Sequence, residues 1–283
     1  MKSFLAAWTL VLLAYGSGRA QVTVRDDSLF ASSLGREKLF TVLLPAGYDS
    51  ARHYPILYLL HGLDGNRSDW LTKSGIARYA ARYELVIVFP DAENSWYVNA
   101  IGDTAARFED FVMHDLRSYV NGHYGIDTSR QAIAGLSMGG YGAVVLALRF
   151  PGTFRFVGSL SGALSVPADS RTRLREGGNA PIAKSLNKAF GVMQGQFYDD
   201  HNVLKIFRRT PPDSLPYFYL VGGTSDYYGE FFRGQVAFAD SLTAYGARFE
   251  HHEIQGDHSW TFWDKEVQTL LKRLVKVLAV STH

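Results

Sequence analysis

The chain has 283 residues, 47% hydrophobic and 20% charged, a balance that can fill one large globular core and excludes long disorder. The formal charge is only +2 and no Lys/Arg run stands out, so no nucleic-acid partner is expected. There is no cysteine, which rules out disulfides, thiolate metal sites, cysteine nucleophiles and a lipidated cysteine.

In chain order, Met1-Lys2-Ser3 precedes the apolar run Phe4-Leu5-Ala6-Ala7-Trp8-Thr9-Leu10-Val11-Leu12-Leu13-Ala14, and small or polar residues lead on to Gly18 and Ala20. That pattern predicts a secretory signal in residues 1–20, cleaved near Ala20. An uncleaved anchor is the alternative, but the run is shorter than the ~20 residues that span a bilayer. The expected product is a protein without stable membrane insertion, secreted or periplasmic.

Residues 22–29 and 37–44 read as an opening antiparallel pair, with Pro45-Ala46-Gly47-Tyr48-Asp49-Ser50 as turn. Ile56-Leu57-Tyr58-Leu59-Leu60 is a short apolar run of the kind buried on both faces of a parallel sheet, and Glu84-Leu85-Val86-Ile87-Val88-Phe89 before Pro90-Asp91 repeats the pattern. Helices are predicted over 76–83, 108–121, 137–149, 231–245 and 259–277, and strands over 131–135, 156–160, 217–221 and 248–254. Strands alternating with helices predict an α/β fold with a mostly parallel sheet covered on both faces. No repeat or linker divides residues 21–283, so one domain is expected. Residues 166–216 break the rhythm and read as an insertion or cap, with helical pieces near 182–190 and 203–208. A lid over a site and a long surface excursion both fit this stretch.

Gly135-Leu136-Ser137-Met138-Gly139 fits Gly-x-Ser-x-Gly, the turn that exposes a serine between a strand and a helix. A chain of this length meets the pattern by chance about one time in ten. The predicted strand before it, the helix after it and Gly139, Gly140 and Gly142 raise its weight. A serine needs a base. Of nine histidines, His258 follows the last strand and precedes the last helix, where such a fold places one. His251 and His252 read as strand residues, and His114 and His123 as surface residues. Asp226, after the preceding strand, gives the order Ser, Asp, His and is the first choice for orienting the base. Glu230 is second, and Asp257 adjoins His258 too closely to reach its ring nitrogen. Oxyanion donors are expected from the Met138 amide and from the Leu63 amide in His61-Gly62-Leu63-Asp64-Gly65.

Four runs together carry a family resemblance: Leu60-His61-Gly62-Leu63-Asp64-Gly65-Asn66; Pro90-Asp91 with Asn94-Ser95-Trp96-Tyr97; Ala134-Gly135-Leu136-Ser137-Met138-Gly139-Gly140-Tyr141-Gly142-Ala143; and Leu160-Ser161-Gly162-Ala163-Leu164. They resemble the esterase D family, a group of tributyrin esterases, S-formylglutathione hydrolases, feruloyl esterases and mycolyltransferases, and lie closest to the tributyrin esterase branch. The resemblance implies an α/β-hydrolase fold, a triad of Ser137, Asp226 and His258, an oxyanion hole from Leu63 and Met138, and Asp64 and Trp96 in the substrate cleft.

The expected activity is a secreted serine carboxylesterase acting on short acyl, acetyl or feruloyl esters, small-molecule or carbohydrate, with no metal or organic cofactor. An acyltransferase to a sugar hydroxyl, an S-formylglutathione hydrolase-like thioesterase and a non-catalytic binding protein are the alternatives, although export argues against a cytosolic detoxifying role. Oligomeric state is not legible in the sequence.

Overall fold

A computed structural model describes residues 10–11, 21–167, 180–191 and 195–279. Nine strands form one sheet: β1 (Leu10–Val11), β2 (Thr23–Ala31), β3 (Arg36–Leu44), β4 (Tyr54–Leu60), β5 (Val86–Pro90), β6 (Ile126–Leu136), β7 (Phe156–Leu160), β8 (Tyr217–Gly223) and β9 (Phe249–Ile254). Their spatial order is β1-β2-β3-β5-β4-β6-β7-β8-β9. The first four in that order pair antiparallel, and all pairs from β5 and β4 to β9 are parallel. This is the predicted α/β-hydrolase architecture.

Two details differ from the sequence reading. The β2–β3 hairpin closes through residues 32–35, with Gly35 at φ 65°, whereas Pro45 to Ser50 lead from β3 into β4. β6 starts at Ile126 because that residue pairs with Tyr54 of β4, ahead of a register irregularity after which pairing resumes at Gln131 with Ile56. Most of the expected signal segment lies outside the described residues; within it, Leu10 and Val11 pair with Arg25 and Val24.

Side chains alternate across a strand, and two cores result. Ile56, Tyr58 and Leu60 of β4 join Val86 and Val88 of β5 and Ile133 of β6 on one face. Leu57 and Leu59 join Ile87, Phe89, Ala132 and Ala134 on the other. The first face is covered by the helices Met138–Arg149, Val203–Phe207 and Gly229–Ala244, and the second by Ile76–Ala80 and Trp260–Ala279. Every residue of the helix from Met138 to Leu148 is buried, so it is fixed from all sides. Among the described residues no helix is long and apolar enough to cross a membrane.

Within the predicted insertion, the helix Ala180–Phe190 packs on the first core through Ile182, Leu186, Ala189 and Phe190. Residues 168–179 and 192–194 of that stretch lie outside the described residues. Farther along it, the Asp200 carbonyl accepts from Arg149 Nη1 at 2.9 Å, and Arg149 forks onto buried Glu109 at 2.6 and 2.9 Å. The insertion is thereby tied to the helix that Ser137 caps.

Candidate active site

The site sits where the parallel strands end at their carboxyl termini, the usual position for a ligand cleft in such sheets. Ser137 directly follows β6 and caps the helix Met138–Arg149 with φ 51° and ψ −117°, a positive-φ conformation that costs about 1–3 kcal/mol for a non-glycine residue. The surroundings impose it. Ser137 donates its amide to Leu160 O at 2.9 Å, and its own carbonyl accepts from Tyr141 N and Ala163 N. The glycines on either side permit the close passage. A Cβ on Gly135 would lie 2.5 Å from the Gly139 carbonyl oxygen, and one on Gly139 would lie 2.6 Å from His61 O.

His258 Nε2 lies 2.9 Å from Ser137 Oγ, and Nδ1 lies 2.7 Å from Asp226 Oδ2. An ionised carboxylate only accepts, so Nδ1 carries the proton and Nε2 is left to accept from the serine hydroxyl. Both partners are withdrawn from water, with 6% and 2% of their side chains exposed. Asp226 Oδ1 accepts the Tyr228 amide at 2.8 Å, which fixes the plane of the carboxylate. The loops carrying the two residues are joined by amide bonds from Thr224 to Ile254 O and from Ser225 to Gly256 O, both 2.9 Å. The three residues read from the sequence are therefore brought together in one chain of hydrogen bonds. Glu230 is buried on the helix Gly229–Ala244 and Asp257 turns to Ser259, so neither takes the place of Asp226. His114 and His123 are exposed, and His251 and His252 belong to β9, as expected.

Among the described residues, neither the Leu63 nor the Met138 amide has a hydrogen-bond acceptor. Met138 opens a helix, where the unpaired amides and the macrodipole favour negative charge. The loop carrying Leu63 is held by a residue whose role the sequence left as part of a turn. Buried His61 donates from Nδ1 to Gly62 O at 2.7 Å and accepts the Ala92 amide on Nε2 at 3.0 Å. Burial lowers its pKa, against an opposing effect of the Gly62 bond, so the ring is the neutral tautomer that can do both. Tyr97 adds a bond from its hydroxyl to His61 O at 2.9 Å.

A cleft of about 390 Å³ opens at Ser137 and His258, lined also by Leu63, Asp64, Trp96 and Ile182. Asp64 and Trp96 thus reach the cleft as the resemblance implied. Asp64 is clamped there: its amide donates to Asn94 Oδ1 and its carboxylate accepts from Asn94 Nδ2, both at 2.7 Å. Trp96 is buried and donates from Nε1 to Ser185 Oγ at 3.0 Å, and Ser185 in turn donates to Ile182 O at 2.8 Å. This relay connects the cleft floor to the helix Ala180–Phe190. Sequence reasoning missed Ser185, which has no pattern, and the aromatic residues Tyr227, Tyr228, Phe231 and Trp263 around His258, which were visible as an aromatic-dense stretch on either side of the base.

A model of the esterase family, described as "Putative esterase", matches residues 31–274. The chain belongs to this esterase family. The esterase D resemblance carried by the four sequence runs agrees with it. The esterase is 28% identical over 232 residues to an acetyl esterase of Caldicellulosiruptor saccharolyticus, covering 78% of this chain and 83% of the relative. It is 32% identical over 143 residues to an S-formylglutathione hydrolase of Rattus norvegicus, an overlap of 43% of this chain that spans only half of that relative's length. Among solved structures, a ferulic acid esterase superposes with a TM-score of 0.75 at 23% identity, covering 92% of this esterase and 99% of the other chain, a likeness of fold.

Proposed function

We propose that this carboxylic ester hydrolase cleaves short acyl esters through an acyl-enzyme on Ser137, with His258 as the base and Asp226 as the group that orients it. The observation that carries the reading is the continuous chain from Ser137 Oγ to His258 Nε2, at 2.9 Å, and from Nδ1 to Asp226, at 2.7 Å. A serine hydroxyl is a weak nucleophile until a base receives its proton. As Oγ bonds to the ester carbonyl carbon, the hydroxyl proton passes to Nε2, and Asp226 steadies the imidazolium. Negative charge collects on the former carbonyl oxygen, where the Leu63 and Met138 amides can donate. When the tetrahedral intermediate collapses, the carbon–oxygen bond to the alcohol breaks and Nε2 returns the proton to the leaving oxygen. Water then repeats the sequence against the acyl-enzyme and releases the acid.

A cleft of about 390 Å³ bounded by Trp96, Pro181 and Ile182 has room for the acyl group of such an ester. The acetyl esterase relative and the ferulic acid esterase neighbour make acetyl and feruloyl esters, free or on plant polysaccharide, the substrates to test. The reading includes export, with cleavage near Ala20, supported by the apolar run and the small residues after it. N-terminal sequencing of protein recovered outside the cytoplasm should find a chain starting beside Gln21.

The decisive test is Ser137→Ala with p-nitrophenyl acetate. Loss of about 10⁶-fold in kcat is expected from the size of nucleophile deletions in other serine hydrolases. Near-normal turnover by that variant sinks the assignment. A series of p-nitrophenyl esters, with methyl ferulate and acetylated xylan, ranks the substrates.

A further inference from the structure

The Leu63 amide lies between two peptide planes, and each plane is pinned from outside. The Gly62–Leu63 peptide is planar and trans, so its carbonyl and the Leu63 N–H point in opposite directions. That carbonyl accepts from His61 Nδ1 at 2.7 Å and from the Gly65 amide at 3.2 Å. The next peptide ends in the Asp64 amide, which donates to Asn94 Oδ1 at 2.7 Å, while Asn94 Nδ2 donates back to Asp64 Oδ1 at the same distance. Asp64 carries a φ of 57°, a left-handed conformation that a short polar side chain visits but does not favour.

Asn94 is itself held by a strained loop. Glu93, Trp96 and Tyr97 have φ of 51°, 57° and 58°. For bulky residues such values persist only where the surroundings over-determine them. Four ties do so here. The Ala92 amide donates to His61 Nε2 at 3.0 Å, the Tyr97 hydroxyl to His61 O at 2.9 Å, Trp96 Nε1 to Ser185 Oγ at 3.0 Å, and Lys38 Nζ to Glu93 at 2.9 Å. The two loops are thus joined at His61 and at Asp64, on either side of Leu63. Asp64 is exposed and Asn94 half-buried, and substitutions at such surface positions usually change stability little. The reciprocal bonds therefore have more to do with placement than with holding the fold together.

We infer that Asn94 is a positioning residue whose paired bonds to Asp64 set the direction of the Leu63 amide before an ester binds. The inference rests on the proposed acyl-enzyme at Ser137. A donor stabilises the developing oxyanion fully only if it need not reorganise as the charge forms. Asn94 makes no contact with the reacting atoms in this account and acts through the backbone of residues 63 and 64.

The test uses p-nitrophenyl acetate and an alkyl trifluoromethyl ketone. Ser137 Oγ adds to the ketone carbon, the hydroxyl proton passes to His258 Nε2, and the former carbonyl oxygen becomes the anion facing the Leu63 amide. Asn94→Ala removes both bonds to Asp64. Asn94→Asp keeps an acceptor for the Asp64 amide but sets one carboxylate against another. Each should lower kcat/KM by about 10- to 100-fold, chiefly through kcat, and raise the ketone Ki by a similar factor. Combining Asn94→Asp with Asp64→Asn exchanges donor and acceptor across the pair and should recover most of the kcat lost in Asn94→Asp. Melting curves of the same preparations should stay close to that of the unmutated protein. A kcat within about twofold in both single variants, a loss confined to KM with an unchanged ketone Ki, or a double variant no better than Asn94→Asp overturns the inference. Misfolding of Asn94→Ala leaves the two aspartate variants decisive. Ser137→Ala separates the two readings: if it retains activity the acyl-enzyme itself falls, and if it is inactive while the Asn94 variants keep their kcat, only the role of Asn94 falls.

Discussion

Asp226 makes two demands on its carboxylate at once, accepting the Tyr228 amide on Oδ1 and the His258 ring on Oδ2. An amide in its place can keep the volume but presents a donor to one of those positions. Asp226→Asn should therefore turn the imidazole to the wrong tautomer and lower kcat by about 10⁴-fold, with little change in folding. Steady-state kinetics and a melting curve check this together, and a variant with nearly full kcat would show that the carboxylate is dispensable. His61 illustrates a different use of the same side chain. Its ring bonds at both nitrogens hold the loop that presents Leu63, so neither nitrogen is left to take the Ser137 proton.

At the scale of elements, the Ser137 turn depends on how closely β6, the loop after β4 and the helix Met138–Arg149 approach. Gly139→Ala would put a methyl group 2.6 and 2.7 Å from the His61 and Leu60 carbonyl oxygens, both backbone atoms that cannot rotate away. The helix must lift, so a destabilisation of about 1–3 kcal/mol is expected, with a fall in kcat larger than the shift in melting temperature alone would suggest. Urea unfolding and kinetics on the same preparation measure the two effects. The helix Ala180–Phe190 meets the cleft through Trp96 Nε1 and Ser185 Oγ. Ser185→Val removes the acceptor and leaves a buried indole N–H unpaired, a cost of about 1–3 kcal/mol. Because Pro181 and Ile182 of the same helix line the cleft, KM should rise and selectivity among acyl lengths should broaden while kcat for acetate changes little. Unchanged chain-length selectivity would mean that this helix does not set the acyl limit.

Across the whole molecule, burial lowers the pKa of His61, His201 and His251, so each holds a proton less firmly in the fold than in the unfolded chain. In the unfolded chain each takes up a proton near pH 6.5. As pH falls below that value the unfolded state binds protons that the native state does not, so each contributes a loss of about 1.4 kcal/mol per pH unit until its own folded pKa is reached. A second loss follows in acid. Burial raises the pKa values of Asp110, Asp127 and Glu250, but the bonds from Asn99 and Arg107, from Ser129 and Arg130, and from Tyr217 and His252 outweigh it and hold them low. Their stabilisation is present above the ordinary carboxylate range near pH 4 and is lost as pH falls through it. Urea midpoints measured from pH 8 to pH 4 should therefore drop first below about pH 6.5 and more steeply below about pH 4.5. Flat midpoints across the first window would mean that these histidines are protonated in the fold.

How much of this was legible in the sequence follows from what kind of interaction decides each feature. Periodicity and glycine placement are local, so the buried runs of β4 and β5, the Ser137 turn and the order of Ser137, Asp226 and His258 could be read along the chain. The hairpin turn at residues 32–35 and the early start of β6 could not, because strand pairing across the sheet overrides local turn signals. Asp226 could be ranked above Glu230 by position, but its bond to His258 joins two separate loops that meet only in the folded sheet. Ser185, His61 as a loop fastener and the rings around His258 were decided by tertiary structure alone. The sequence by itself determined which residues are the candidates for the chemistry, since a reactive serine needs its local turn. The fold decided what holds them, since hydrogen bonds and ring contacts between residues far apart in the chain exist only once packing has brought them within a few ångströms.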